Sequence, residues 1–398
     1  MKTLAALAAL LATAAAITAQ TNSPAPLVSL PKLQIKPYGW IKFDAVRDTA
    51  RTSYGDIAFF VMPGTAAGGG ESELTFSARD LRLGANIIAP AQNGITAKGR
   101  IEGDWCEDLA PNAYKPRLRL AFADIDFGSG WLLTVGQAWD TYCVLFPETL
   151  DPSNLAQAGN PYGRHPLARL AKTTDLGDAT TLTLKLAAQS GRNAADYDAN
   201  GQSDENASNV PSLHASIVLK TKLIAEAPPA LFAISGAYGK EKLGGSAPAP
   251  DGAGGIDSAE YNSALLHFAA KIPLCNRLSI QGVFFTGDNL DNYLAGIGQG
   301  VNVASGKEVS TVGGHINAIY NATPKLALSA GYGIDDPQDS DLAAAGSRAK
   351  NERAFANAAY HLTDQLSIWG EYSHMATTYA GGKTESNDRI HLSVKYSF

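Results

Sequence analysis

The chain has 398 residues, 45% of them hydrophobic, and a formal net charge of -6. That balance is ordinary for a globular protein and excludes a globally basic nucleic-acid binder. The length fits two or three ordinary domains or one large all-β unit, and three cysteines are too few to define a disulfide scaffold.

Met1-Lys2 precedes an apolar run from Leu4 to Ile17, and Ala16 and Ala19 offer a cleavage site before Gln20. This is the layout of a secretory signal peptide over residues 1–19. A helix that spans a bilayer needs about 20 apolar residues, more than this run supplies, and no later stretch approaches that length. An exported protein without a membrane helix is expected. Residues 20–36 form a short segment containing Pro24, Pro26 and Pro31, ahead of one unit over 37–398.

From there on the dominant signal is a two-residue period. Ile95, Ala97, Gly99, Ile101, Gly103 and Trp105 alternate with Thr96, Lys98, Arg100, Glu102 and Asp104, the pattern of a strand with one apolar face. It returns at Leu182, Leu184 and Leu186, at Leu213, Ala215, Ile217 and Leu219, and at Leu326, Leu328, Ala330 and Tyr332. The chain ends on it: Ile390, Leu392, Val394, Tyr396 and Phe398 alternate with His391, Ser393, Lys395 and Ser397.

The connections alternate as well. Short ones with turn chemistry, among them Gly128-Ser129-Gly130, Asp175-Leu176-Gly177-Asp178, Ala322-Thr323-Pro324 and Thr363-Asp364-Gln365, separate strand patterns. Long polar or Gly-rich segments lie between them, approximately 49–75, 106–114, 140–164, 190–209, 240–257, 287–307, 335–347 and 376–387. Short turns on one rim and long loops on the other describe a transmembrane antiparallel β-barrel with short periplasmic turns, long extracellular loops and about 16 strands. In lipid every backbone amide must be paired, so the final strand has to seal against the first, around residues 38–48. Tyr396 and Phe398 then fall at an interfacial aromatic girdle, and this terminal aromatic strand resembles the signal by which the barrel assembly machinery recognises its substrates.

A barrel of this size encloses water. Lys42, Arg82, Lys98, Arg100, Arg117 and Arg119 oppose the apolar set, and turned toward lipid each would cost roughly 2 to 4 kcal/mol at the midplane. They are expected to line the lumen, where a cationic wall favours anions. Paired with Glu102 and Asp104 they equally describe a lattice that holds strand register, and both readings stand. The third long loop, 140–164, carries Tyr142, Phe146, Glu148, Asp151, Tyr162 and Arg164. Folded inward it would narrow the lumen and set Glu148 and Asp151 against the arginine wall; otherwise it caps the barrel or packs on a neighbouring subunit. Cys106 and Cys143 both fall at outer strand ends and could pair, whereas Cys275 falls in a turn at the opposite rim.

Four short motifs carry a family resemblance: Tyr38-Gly39-Trp40-Ile41-Lys42-Phe43-Asp44-Ala45, Ala78-Arg79-Asp80-Leu81-Arg82-Leu83-Gly84, Ile101-Glu102-Gly103-Asp104-Trp105 and Val135-Gly136-Gln137-Ala138-Trp139-Asp140. Together they resemble the DcaP-like outer-membrane porins. The resemblance implies a homotrimeric porin in the bacterial outer membrane that passes small anionic solutes such as dicarboxylates. Residues 21–36, with their prolines, depart from the helical coiled-coil segment that such porins often carry before the barrel.

No catalytic motif, histidine pair at metal-ligand spacing or nucleotide-binding loop followed by a helix occurs, so neither an enzyme nor a cofactor or metal is expected. The leading expectation is a diffusion channel; the alternative is a structural or adhesive outer-membrane protein acting through its loops.

Overall fold

The computed structural model describes residues 33–107, 114–190, 205–207, 210–244, 258–302, 304–343 and 346–398. The expected signal peptide and most of the Pro-containing segment lie outside the described residues, as do parts of five outer connections.

Eighteen strand segments form one antiparallel sheet, and in two places a pair of segments continues a single strand, so the barrel has 16 strands. In chain order they are β1 (Gln34–Asp48), β2 (Glu73–Ser77 continued by Arg82–Ile88), β3 (Thr96–Asp104), β4 (Arg117–Gly128), β5 (Trp131–Trp139), β6 (Arg164–Gly177), β7 (Thr180–Gln189) and β8 (Glu205–Ala207 continued by Ser212–Thr221). Then follow β9 (Ala230–Gly244), β10 (Ser258–Pro273), β11 (Leu278–Asp288), β12 (Ser310–Thr323), β13 (Leu326–Pro337), β14 (Arg348–His361), β15 (Leu366–Tyr379) and β16 (Thr384–Ser397). Each strand pairs with the next, and β16 returns to β1 from Trp40↔Ser397 to Asp48↔Arg389. Gly39 and Phe398 exchange backbone hydrogen bonds of 3.0 and 3.1 Å, which completes the seam and leaves no open edge.

The alternation read in the sequence is the inside–outside alternation of the wall. On β1 Lys42, Asp44 and Asp48 are buried inside while Ile41 and Phe43 stand exposed outside; on β16 His391 and Ser393 point in and Ile390, Leu392 and Val394 point out. The outward set, with Leu186, Leu213, Phe284, Ile316 and Tyr372, forms an apolar belt around the barrel. Only lipid makes such a belt favourable. No described helix is long and apolar enough to cross a membrane, and the crossing is made by strands.

Turn chemistry explains the short rim. Asp178 and Ala179 both take positive φ, the backbone twist that a two-residue hairpin requires. The Asp175 carboxylate accepts the Gly177 N–H at 2.9 Å. Thr323 and Thr363 play equivalent parts, each hydroxyl accepting two backbone N–H groups of its turn. One expectation on the other rim is corrected: the last outer connection is not a loop over 376–387 but a tight turn at 380–383, where Gly381 and Gly382 take positive φ. Its flanks, including Thr378 paired with Thr384, remain in the ladder. Their polarity resembles a loop because strands that rise beyond the lipid can be wet on both faces.

Candidate functional site: the eyelet of the barrel

Three outer loops turn into the barrel. The first, 49–72, places Ile57, Phe59 and Val61 among buried side chains, and its Val61 is held by Thr377 and Tyr379 of β15. The sixth, 289–309, buries Leu290, Tyr293, Ala295 and Ile297. The third, 140–163, crosses the lumen.

Its course follows from its hydrogen bonds. Leaving β5, Asp140 pairs with His165 of β6 at 2.8 Å. Tyr142 enters an aromatic cluster with His214, His267 and Tyr293, ring centroids 5.5 to 6.0 Å apart. The loop then runs along the far wall: Gln281 of β11 donates to the Phe146 carbonyl at 2.6 Å, Asn317 of β12 accepts the Glu148 N–H at 3.0 Å, and Asn357 of β14 donates to the Glu148 carbonyl at 2.7 Å. Glu371 of β15 accepts both the Thr149 hydroxyl and the Leu150 N–H. Asp151 lies between Arg353 of β14 and Arg389 of β16, at 3.0 and 2.6 Å. Burial alone would raise the Asp151 pKa, but the two guanidiniums outweigh it and hold the carboxyl well below its usual range. Arg389 also grips Asp48 and the first loop's Gly55 carbonyl, so one side chain ties β1, β16 and two loops together.

Between this loop and the wall from β16 through β6 a cavity of about 430 Å³ remains. Strand register builds its charged side. Lys395 pairs across the seam with Lys42; Trp40 pairs with Arg82, which brings Asp80 to 2.8 Å from the Lys42 ammonium; Asp104 pairs with Arg117; Trp139 pairs with Arg164. Consecutive cross-strand neighbours over seven strands therefore form one row at the eyelet. Trp139 packs at a tilt against Phe146 and edge-on against Tyr162 of the loop, ring centroids 4.8 and 5.9 Å apart, closing the side of the cavity beyond the arginines.

The expected site residues divide on this geometry. Lys42, Arg82, Arg117, Arg119, Phe146, Asp151 and Arg164 line the cavity. Lys98 and Arg100 do not: strand pairing sets them nearer the short rim, Arg100 bonded to Asn86 at 2.9 Å. Tyr142 is wholly buried in the aromatic cluster and Glu148 is exposed. Asp151 meets arginines, but those of β14 and β16 rather than those of the opposite wall. Tyr396 and Phe398 stand exposed on the outer face, their rings 6.5 Å apart. Cys106 and Cys143 are unbridged: their thiols lie against the Arg79 and Gly163 carbonyls at 3.4 and 3.8 Å, although both pack on the Phe59 and Tyr162 cluster. Sequence reasoning passed over Trp40, Asp80, Trp369 and Lys395 in the lining and Arg353 and Arg389 behind it. The parity of Arg389 and Lys395 with His391 was a usable signal.

No protein-family model and no curated protein matches the chain. Solved structures match its fold. The outer membrane channel DcaP of Acinetobacter baumannii superposes with a TM-score of 0.75 at 19% identity, covering 94% of this chain and 100% of that one. An anion-selective porin from Comamonas acidovorans gives 0.60 at 11% identity, covering 92% and 100%. The trimer form of OmpT, an outer membrane protein of Vibrio cholerae, gives 0.56 at 10% identity, covering 92% and 99%. The DcaP-like character expected from the motifs is borne out in the fold. Together with the apolar belt it places the chain in a bacterial outer membrane.

Proposed function

We propose that this barrel is a porin: a water-filled diffusion channel for small hydrophilic solutes, with a mild preference for anions such as dicarboxylates. The observation that carries the preference is the charge balance at the eyelet. Lys42, Arg82, Arg117, Arg119, Arg164 and Lys395 line it against only Asp80, Asp104 and Asp151. A cleft lined by one excess sign in low-dielectric walls concentrates counter-ions. Similarity to an anion-selective porin supports the same reading.

Purified protein in a planar bilayer under a potassium chloride gradient tests it. A reversal potential toward that of chloride is expected, and one toward that of potassium overturns the preference. The three loops packed inside the lumen favour a second reading, a blocked barrel acting through its outer surface, which predicts no conductance at all.

A homotrimer accompanies the reading. One relative is described in a trimer form, which supports it. Mass measurement in detergent checks it, with three copies per particle expected.

A further inference from the structure

The sixth loop leaves β11 through Asn289, which takes a positive φ of 53° and is wholly buried. Its backbone is fixed on both sides: the N–H donates to the Val309 carbonyl at 3.0 Å, and the carbonyl accepts the Ser263 hydroxyl of β10 at 2.8 Å. The side chain is fixed as well. Its Nδ2 donates to Glu241 of β9 at 2.9 Å, and the same carboxylate accepts the Asn292 amide. The Asn289 Oδ1 is thereby turned toward Asp291 and Gly300, and it is buried without a hydrogen-bond partner.

A side-chain amide set between two carboxylates cannot serve both. Whichever way its plane is turned, the carbonyl end faces a carboxylate, and a buried acceptor that faces another acceptor goes unpaired. Here Asn289 Oδ1 and Asp291 Oδ1 converge on one side of Gly300, where an added Cβ would stand 2.1 and 2.4 Å from them. Glycine at 300 admits both oxygens. A cation or a bridging water is what makes two oxygens so placed compatible.

We propose that this turn binds a calcium ion, with Asn289 Oδ1 and the Asp291 carboxylate as its protein ligands, Glu241 as the group that aims Asn289, and water completing the sphere. An all-oxygen donor set selects a hard cation, and calcium accepts the irregular geometry that magnesium resists. Among the described residues no three His, Cys, Asp or Glu side chains converge as a metal site; here an amide oxygen supplies the second donor. Asp291 is only half-buried, so the ion keeps contact with water. The two ends of the sixth loop meet at this point, where the Gly300 carbonyl accepts the Val309 N–H at 2.8 Å. Bound calcium therefore braces the sixth loop in its folded-in position. The proposal does not depend on what the barrel passes.

The test uses the full-length barrel in non-ionic detergent, stripped with a chelator and titrated with terbium, whose emission Tyr293, two residues beyond Asp291, can sensitise. Saturable emission is expected in the wild type, displaced by calcium with a midpoint of about 0.1 to 1 mM, the range of outward-facing calcium sites. D291N, which removes a ligand charge, and G300A, which sets a Cβ against both oxygens, are each expected to raise the half-saturating concentration by roughly tenfold or more. D336N, at the outer end of β13, is expected to stay within about twofold, as a change outside the ligand set should. Heat-modifiable mobility confirms that each variant is a folded barrel. In the wild type calcium is also expected to slow proteolysis within 289–309, since a ligand that binds the ordered loop stabilises it. No saturable emission and no calcium effect on proteolysis means a bridging water only, and overturns the proposal. An unchanged midpoint in folded D291N and G300A, an equal shift in D336N, or displacement by magnesium as effective as by calcium overturns it too.

Discussion

Asp151 shows how one carboxylate can hold a loop inside a pore. It is buried against Arg353 and Arg389, and each of those has a second carboxylate, Glu371 and Asp48. Replacing it by Asn leaves two guanidiniums under-compensated, which costs on the order of 3 kcal/mol for a buried pair. D151N is expected to loosen the third loop, read as noisier open-channel current and faster proteolysis within 140–163. Because the Asp151 pKa is lowered in the folded state, its contribution is complete above the ordinary carboxylate range and is lost as pH falls below it. The anchor is therefore expected to be unchanged from pH 7 to pH 5 and to weaken only in strong acid. The thiols give a second prediction. Burial, and after it Asp104 and Asp80, pushes Cys106 up to about 12, and burial with Asp140 raises Cys143 further still, so both stay protonated at pH 8 while Cys275 lies exposed in a turn. A maleimide should label one thiol per folded chain and three after denaturation; one after denaturation would reveal a Cys106 to Cys143 bridge.

At the scale of elements, the third loop seats on the wall through missing side chains. A Cβ at Gly333 of β13 would stand 2.1 Å from the Ala158 carbonyl oxygen, and one at Gly159, whose φ is +112°, would stand 2.2 Å from that of Gly314. Backbone meets backbone there, so neither contact can be relieved by a side-chain rotation. G333A is expected to push the loop off β13 at a cost of about 1 to 3 kcal/mol, as overpacking does, while the outward face of β13 stays as it was. A changed single-channel conductance with unchanged heat-modifiable mobility on a gel is the expected result. The same seating explains why loop entry was only half legible. Length and position marked the third loop, whereas the entry of the first and sixth depends on partners such as Thr377, Tyr379 and Asp335 on strands far away in sequence.

For the molecule as a whole, closure is the governing event. The seam joins the first strand to the last, so no folded barrel exists until β16 is in place. Deleting Phe398 removes both backbone hydrogen bonds to Gly39 and one exposed ring of the terminal pair. The expected outcome is less folded barrel at equal synthesis, measured by heat-modifiable mobility of outer-membrane fractions. Leu392→Arg, by contrast, leaves the seam intact and charges the lipid face. It should lower stability by about 2 to 4 kcal/mol in denaturant titrations if the site lies near the midplane.

What the sequence by itself determined was the wall. A period of two, sustained between turn residues, states which side chains face lipid and which face the lumen, because strand geometry leaves no third choice; the strand number follows from counting these segments. What the tertiary structure decided was the eyelet. Whether Arg119 is spent on Glu102 or free, whether Asp151 meets the near arginines or those of β14 and β16, and whether Lys395 rests on two indoles are matters of register between strands and of loop seating. These contacts join residues up to hundreds of positions apart, and no local pattern encodes them.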